Sequence, residues 1–353
     1  MILPHSSIHT RTLCHNETKK NEGNGVAKIA MYYVLTLQAN DVPLQPENDM
    51  TTDNTTNHKD WRAHGAMLLA MVLFGLMATF SKDVLTHGGI TGPQLVAFRV
   101  IGAAIIFWMG SLIVPQQRVE PRDFIKIAGA GFFGFALAQG GYIVGLNYTS
   151  PINATIELTT MPIFTLILSS ILLHERITPR RALGIIMGFT GAVLLITSTA
   201  ASASGQPTDF RGDILILISQ VGYAFYLTLY SRVIRKYDAF TFNKWTFTFA
   251  SLFILPFTLP HIMQIDWPGM SARTACEIIY IVAGATFFTF LLVVYAQRRL
   301  LPTTVSVYNY VQPIVAVVAS MAMGLATPQW MHAVAAALIF TGVWLVTRGN
   351  RRY

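Results

Sequence analysis

Glu157 is the residue with the clearest chemical potential, set in the apolar stretch NATIELTTMPIF. A carboxylate inside a hydrocarbon layer costs roughly 2.5–3.5 kcal/mol on insertion scales, so its presence asks for a reason. Burial favours the protonated form, and such a group can take up and release a proton. The competing role is structural, with Glu157 near the outer interface and paired to a neighbour such as Arg99. Polar side chains on neighbouring apolar runs could join it: Asn153, Gln139, Tyr142, Tyr223, Tyr226, Thr289, Tyr308 and Asn309. Tyr223 and Tyr226 are three apart and share one helix face. An aromatic, hydrogen-bonding lining of this kind suits amphipathic zwitterions or aromatic metabolites. For each member the plainer alternative is a hydrogen bond that ties two membrane helices together.

Pro162 and Pro313 sit at matching places in two apolar runs. A proline leaves a backbone carbonyl without its helical partner, which makes either a hinge or a static kink. Gly184, Gly188 and Gly191 form a small-residue face. Such a face permits close helix packing, either within one chain or between two copies. Glu175, Arg176, Arg180 and Arg181 cluster between two runs. They either close a gate by ion pairing or serve as a topology signal.

Helices that cross a bilayer must carry these residues. The chain has 353 residues, 53% hydrophobic and 12% charged. A soluble domain carries about twice that share of charge. The apolar residues come in runs of the length that spans a membrane. Ten spans are expected, at roughly 65–83, 95–114, 124–146, 152–173, 181–199, 212–231, 242–262, 276–297, 303–325 and 328–347, from the hydrophobic periodicity and length. Lys and Arg concentrate in alternate connections, as in Arg118, Arg122 and Lys126, or Arg232, Arg235 and Lys236. The other connections hold only Lys82, Arg99, Arg211 and Arg273. This bias puts both termini in the cytoplasm.

The second half repeats the first. Pro151 pairs with Pro302, Pro162 with Pro313 and FTGAVLLIT from Phe189 with FTGVWLVTR from Phe340, each 151 residues apart. FSK at Phe80 resembles YSR at Tyr230, and Arg99 finds Lys244 once the intervening loop is shortened. With five helices per copy, an odd number, the second copy must insert upside down. Inverted repeats are an architecture of secondary transporters, with the substrate site near the midplane. The expected fold is therefore all-α, with ten transmembrane helices in two inverted five-helix repeats, over 64–199 and 212–347.

The stretch TTMPIFTLILSSILLHERITPRRALGIIMGFTGAVLLI resembles the drug/metabolite transporter superfamily, in particular the EamA-type transporter family. There a fourth helix carries a proline after small residues, followed by a Glu-Arg pair and a Gly-rich fifth helix. The second copy departs from this pattern, because GLATPQW lacks the pair formed by Glu175 and Arg176. The resemblance implies an exporter of small metabolites in a plasma membrane, the inner membrane in bacteria. It also implies a cavity lined by the first, third, fourth, sixth, eighth and ninth helices, which would take in the set around Glu157.

Other classes fit less well. The spans hold no His cluster, no metal-ligating spacing and no nucleophile beside a base. No phosphate-cradling Gly-Lys-Ser loop is present. An ATP-driven pump and a cofactor are thus not expected, nor is an enzyme as the first reading; the alternatives to a carrier are a non-transport auxiliary membrane protein and an intramembrane enzyme acting on a lipid-linked substrate. The net charge of +8 lies in loops between apolar runs, which argues against nucleic acid. The expected partners are a small-molecule substrate and the lipid bilayer, with the protein a monomer or homodimer. Cys14 and Cys276 are too far apart in sequence to suggest a disulfide framework. Residues 1–60 read as a disordered cytoplasmic tail. Met50 is an alternative start, which detection of a native peptide from residues 20–49 would exclude.

Overall fold

The computed structural model describes residues 56–146, 148, 157–200, 210–322 and 330–348. Residues 1–55 of the expected tail, Asn153 and Pro151 lie outside them, whereas residues 56–60, expected to be disordered, form the first turn of a helix. Every element among the described residues is helical. The first copy holds α1 (Thr56–His87), α2 (Gly92–Gly110), α3 (Pro121–Gly131), α4 (Ala138–Leu146), α5 (Met161–Leu172) and α6 (Pro179–Ala200). The second holds α7 (Phe210–Leu229), α8 (Ser231–Lys236), α9 (Ala239–Ile262), α10 (Ala272–Ile279), α11 (Thr289–Gln297), α12 (Pro302–Val307), α13 (Val311–Ala322) and α14 (Trp330–Arg348).

Local sequence explains where these helices begin. Prolines occupy the first turns of α2, α3, α5, α6 and α12, where the missing N–H would have no partner in any case. The Asp238 carboxylate accepts from Thr241 N at 2.8 Å to start α9, and the Ser271 hydroxyl accepts from Thr274 N at 3.1 Å to start α10. In both cases a side chain satisfies an N–H that the first turn leaves open.

Eight helices among the described residues are long and apolar enough to cross a bilayer. The two remaining expected spans, the fourth and the ninth, are interrupted. The fourth is described from Glu157, passes through a turn at Thr159 and Thr160, and becomes α5. The ninth consists of α12, a tight 3₁₀ turn at Tyr308–Tyr310 and α13. Pro162 therefore stands in the first turn of α5, and Pro313 in the first turn of α13, each just after a break. Starting a helix carries no penalty for proline, whereas an interior position does.

A second pair of interruptions matches the first. The third span changes from α3 to a π-helical stretch, Phe132–Leu137, before α4. The eighth changes from α10 to a π-helical stretch, Tyr280–Phe288, before α11. Their last residues, Leu137 and Phe288, are 151 positions apart, the offset of the sequence repeat. Thr286 Oγ1 donates to Ile281 O at 2.8 Å and Thr289 Oγ1 to Gly284 O at 3.1 Å. Both reach five residues back, which is the widened turn of a π-helix.

The copies interlock. The first π-stretch and α4 pack on α7 of the second copy, while α1 packs on the second π-stretch, α11 and α13. Gly134 permits one of these approaches, since a Cβ there would lie 2.7 Å from the Tyr226 ring. The Gly184–Gly188–Gly191 face is covered within the chain. A Cβ at Gly184 would lie 2.8 Å from Gly342 O, one at Gly188 2.4 Å from the Tyr310 ring, and one at Gly191 2.8 Å from Ala335 O.

Ionic clusters join the copies at equivalent places. At the start of α3, buried Asp123 accepts from Lys126 (2.7 Å), Lys236 (2.6 Å) and Tyr237 (2.8 Å). Asp123 and then Glu120 hold the Lys236 ammonium above the usual lysine range. At the start of α10, Arg273 pairs with Asp83 at 2.8 Å and with Glu277 at 3.2 Å. The third span of one copy is thus tied to the end of the first span of the other, with the signs of charge exchanged.

Candidate functional site

The expected site residues fall into three groups, one of them centred on a residue outside the expected set. Arg99 belongs to α2, not to a connection. It stands seven residues into the helix, about 10 Å along its axis at 1.5 Å per residue. Its Nη1 donates to Gln139 Oε1 at 3.2 Å, and its Nε points to Thr286 Oγ1 at 3.5 Å. Thr286 can receive it because its own proton goes to Ile281 O. Tyr223 lies near enough to interact electrostatically with the guanidinium. The cluster draws on α2, α4, α7 and the second π-stretch, and hence on both copies. Both π-stretches bear on it: Gln139 follows the first and Thr286 lies in the second.

The second group joins α1 to the ninth span. His64 Nδ1 and the Tyr308 hydroxyl share a 2.8 Å hydrogen bond. Gln312 Nε2 donates to Asn309 Oδ1 at 2.7 Å and approaches Met71 Sδ at 3.2 Å, while Asn309 Nδ2 donates to Ser306 O at 2.9 Å. These bonds cluster around the 3₁₀ turn, where side chains take over from the regular helical ladder.

The third group is a pair of carboxyl groups. Glu157, just before the break in the fourth span, faces Asp213 in the first turn of α7. Its Oε2 is buried and has no hydrogen-bond partner among the described residues. The expected structural pairing with Arg99 does not occur, because that guanidinium is engaged by Gln139 and Thr286. Two carboxylates that face each other repel unless one holds a proton.

Of the remaining expected residues, Tyr142 is half-buried on α4. Tyr226 is fully buried, with its ring 5.4 Å from that of Tyr223 and its hydroxyl donating to Gln297 at 3.3 Å. Thr289 is fully buried and bonded to its own helix. Both lie in packed helix contacts beside the Arg99 cluster. Glu175, between α5 and α6, is also more than a surface charge. Its Oε2 accepts from Thr303 Oγ1 of α12 at 2.9 Å and lies 3.6 Å from Arg181. Burial pushes its carboxyl above the usual range, against the effect of Thr303 and Arg181.

Sequence reasoning missed Arg99, Asp213 and His64 as members of these groups. The signal for Arg99 was its setting, a single cation within QLVAFRVIGAAIIFW. Its repeat mate Lys244 is differently placed. Lys244 is 7% exposed, with its ammonium 4.5 Å from the Trp108 ring and 5.2 Å from the Trp245 ring.

Comparisons with known proteins agree with this architecture. The family model described as EamA-like transporter family matches twice, over residues 61–197 and 210–348. An uncharacterized transporter of Archaeoglobus fulgidus is 28% identical over 67% of this chain and 82% of its own length. The uncharacterized transporter YyaM of Bacillus subtilis is 24% identical over 78% of this chain and 91% of its own. The uncharacterized inner membrane transporter YicL of Salmonella typhimurium is 22% identical over 81% and 95%. A solved crystal structure superimposes with a TM-score of 0.68 at 21% identity, covering 82% of this chain and 98% of that one.

Proposed function

Given that the chain belongs to the EamA-like transporter family, we propose that it is a secondary carrier exporting small amino-acid-like or amphipathic metabolites by alternating access. Ten spans form two inverted five-helix halves, the interrupted fourth and ninth among them. The observation that carries the reading is the matched set of interruptions. Both third-helix equivalents widen and both fourth-helix equivalents break, within a few residues of the repeat offset. Broken helices leave backbone groups for ligands and give a bundle places to bend. Like interruptions in two inverted halves give outward-open and inward-open states of similar energy.

In this reading Tyr223, Gln139, Tyr142, Asn309 and Tyr308 border the path, and Tyr226 and Thr289 hold the walls in place. Pro162 and Pro313 mark the hinges. Glu157 takes up and releases one proton per cycle, and Asp213 beside it favours the shared-proton state. Both termini are cytoplasmic, no cofactor takes part, and the membrane is the inner membrane, as the name of the Salmonella relative suggests. The protein works as a monomer or homodimer.

The test compares metabolites released by cells that express the unaltered chain, a Glu157→Gln variant at equal membrane level, or neither. Compounds that accumulate outside only with the unaltered chain support export and the role of Glu157. Equal release by both versions removes Glu157 from the cycle. No change in the medium with either version refutes export.

A further inference from the structure

We propose that Arg99 is an anion-binding site for substrate, so that the transported compound carries a carboxylate or an equivalent planar anionic group. The inference deepens the carrier reading above and rests on it. The argument starts from charge balance. A guanidinium within a bilayer is stable when an opposite charge or several hydrogen bonds attend it. Arg99 interacts with Gln139, Thr286 and Tyr223, all neutral. No carboxylate pairs with it among the described residues.

Geometry points the same way. Gln139 takes one N–H of Nη1 and Thr286 faces Nε, and among the described residues no further partner is seen for the Nη2 donors or the second N–H of Nη1. A guanidinium presents these as a planar fork that matches two carboxylate oxygens. The neutral partners orient the fork without quenching its charge. Residues of both copies hold it, so movement of one half against the other would change the site.

The repeat supplies an internal contrast. Lys244 is the counterpart cation, and it has two tryptophan faces within about 5 Å, at 4.5 and 5.2 Å. Cation–π contact compensates a desolvated ammonium, and the Asp238 carboxylate adds an opposite charge nearby. Arg99 has no such aromatic cover among its contacts, apart from its electrostatic neighbour Tyr223. One member of the pair is thus settled by the fold, and the other keeps its charge for a ligand.

The experiment uses the purified full chain in lipid nanodiscs and matched probes: L-phenylalanine, L-leucine and benzoate against the corresponding amides. Thermal stabilisation is titrated for the unaltered chain, Arg99→Gln and Arg99→Lys. The expected result is stabilisation of the unaltered chain by at least one carboxylate and not by its amide. Arg99→Gln should weaken that binding roughly tenfold or more, the size expected for a lost charge-assisted bond. Arg99→Lys, which keeps the charge and loses the fork, should fall between. Equal responses of the unaltered chain and Arg99→Gln to every probe, including no response from either, overturn the proposal. The release assay with Glu157→Gln does not depend on this result, so the carrier reading can stand when the anion site falls.

Discussion

Replacing Gly342 by alanine tests the packing that holds the fifth and tenth spans together. A Cβ at Gly342 would lie 2.5 Å from Gly184 O, 2.8 Å from Gly188 N and 3.2 Å from Gly188 Cα. All three are backbone atoms, so no side chain can swing away, and α6 and α14 must separate by about 0.5–1 Å to reach ordinary contact. Overpacking of this kind costs about 1–3 kcal/mol. A methyl at Gly65 of α1 would meet nothing within 4 Å. Both changes gain the same benefit of about 0.5–1 kcal/mol from exchanging glycine for alanine in a helix, so it cancels in the comparison. Gly342→Ala should therefore be less stable than Gly65→Ala by about 1–3 kcal/mol. Thermal melting in one detergent at one scan rate, followed by tryptophan fluorescence, should separate the midpoints by about 1.5–5 °C. Gly342→Ala melting at or above Gly65→Ala would refute the close backbone approach.

Asp123→Asn should destabilise the protein by about 1–3 kcal/mol, read by the same melting assay. The loss is limited because Lys126 and Lys236 are 57% and 42% exposed and can return to water; no change would mean that the cluster does not tie the copies. Glu175 has a raised pKa in the folded chain, so its contribution to stability is fully present at low pH. It is lost as pH rises through and above the ordinary carboxylate range. A pH series of melting midpoints should show a shallower fall for Glu175→Gln, and an unchanged slope would contradict the burial argument. Tyr308→Phe removes the 2.8 Å bond to His64 and should lower stability by about 0.5–1.5 kcal/mol; a more stable variant would show that the bond is not made in the membrane.

Much of the architecture was legible in the sequence. Apolar runs, the Lys and Arg bias and the 151-residue offset need only composition and spacing. The nature of the third and eighth spans was not. Nothing in FFGFAL or YIVAGATFF distinguishes a π-helix from an α-helix, because the difference lies in packing on another copy, as at Gly134 against Tyr226. Pro162 and Pro313 gave the right places but suggested kinks inside continuous helices, whereas each stands at the start of a helix. Arg99 was assigned to a connection because a cation near the end of an apolar run has the same sequence signature as an interfacial one. Its partners Gln139 and Thr286 lie 40 and 187 residues away, beyond any local pattern. Glu157 stood out as an intramembrane acid, but only the fold brings it to Asp213.

The interlocked packing also bears on how the protein is made. By residue 200 the ribosome has produced every helix of the first copy, yet α1 still lacks the Tyr280–Phe288 stretch, α11 and α13, and α4 still lacks α7. Those faces must wait in lipid, or against temporary neighbours, until residues well beyond 280 have been inserted. The first copy is therefore not a separate folding unit, despite being a complete repeat of sequence. A single copy expressed alone would find its missing surfaces only on a second molecule of like shape.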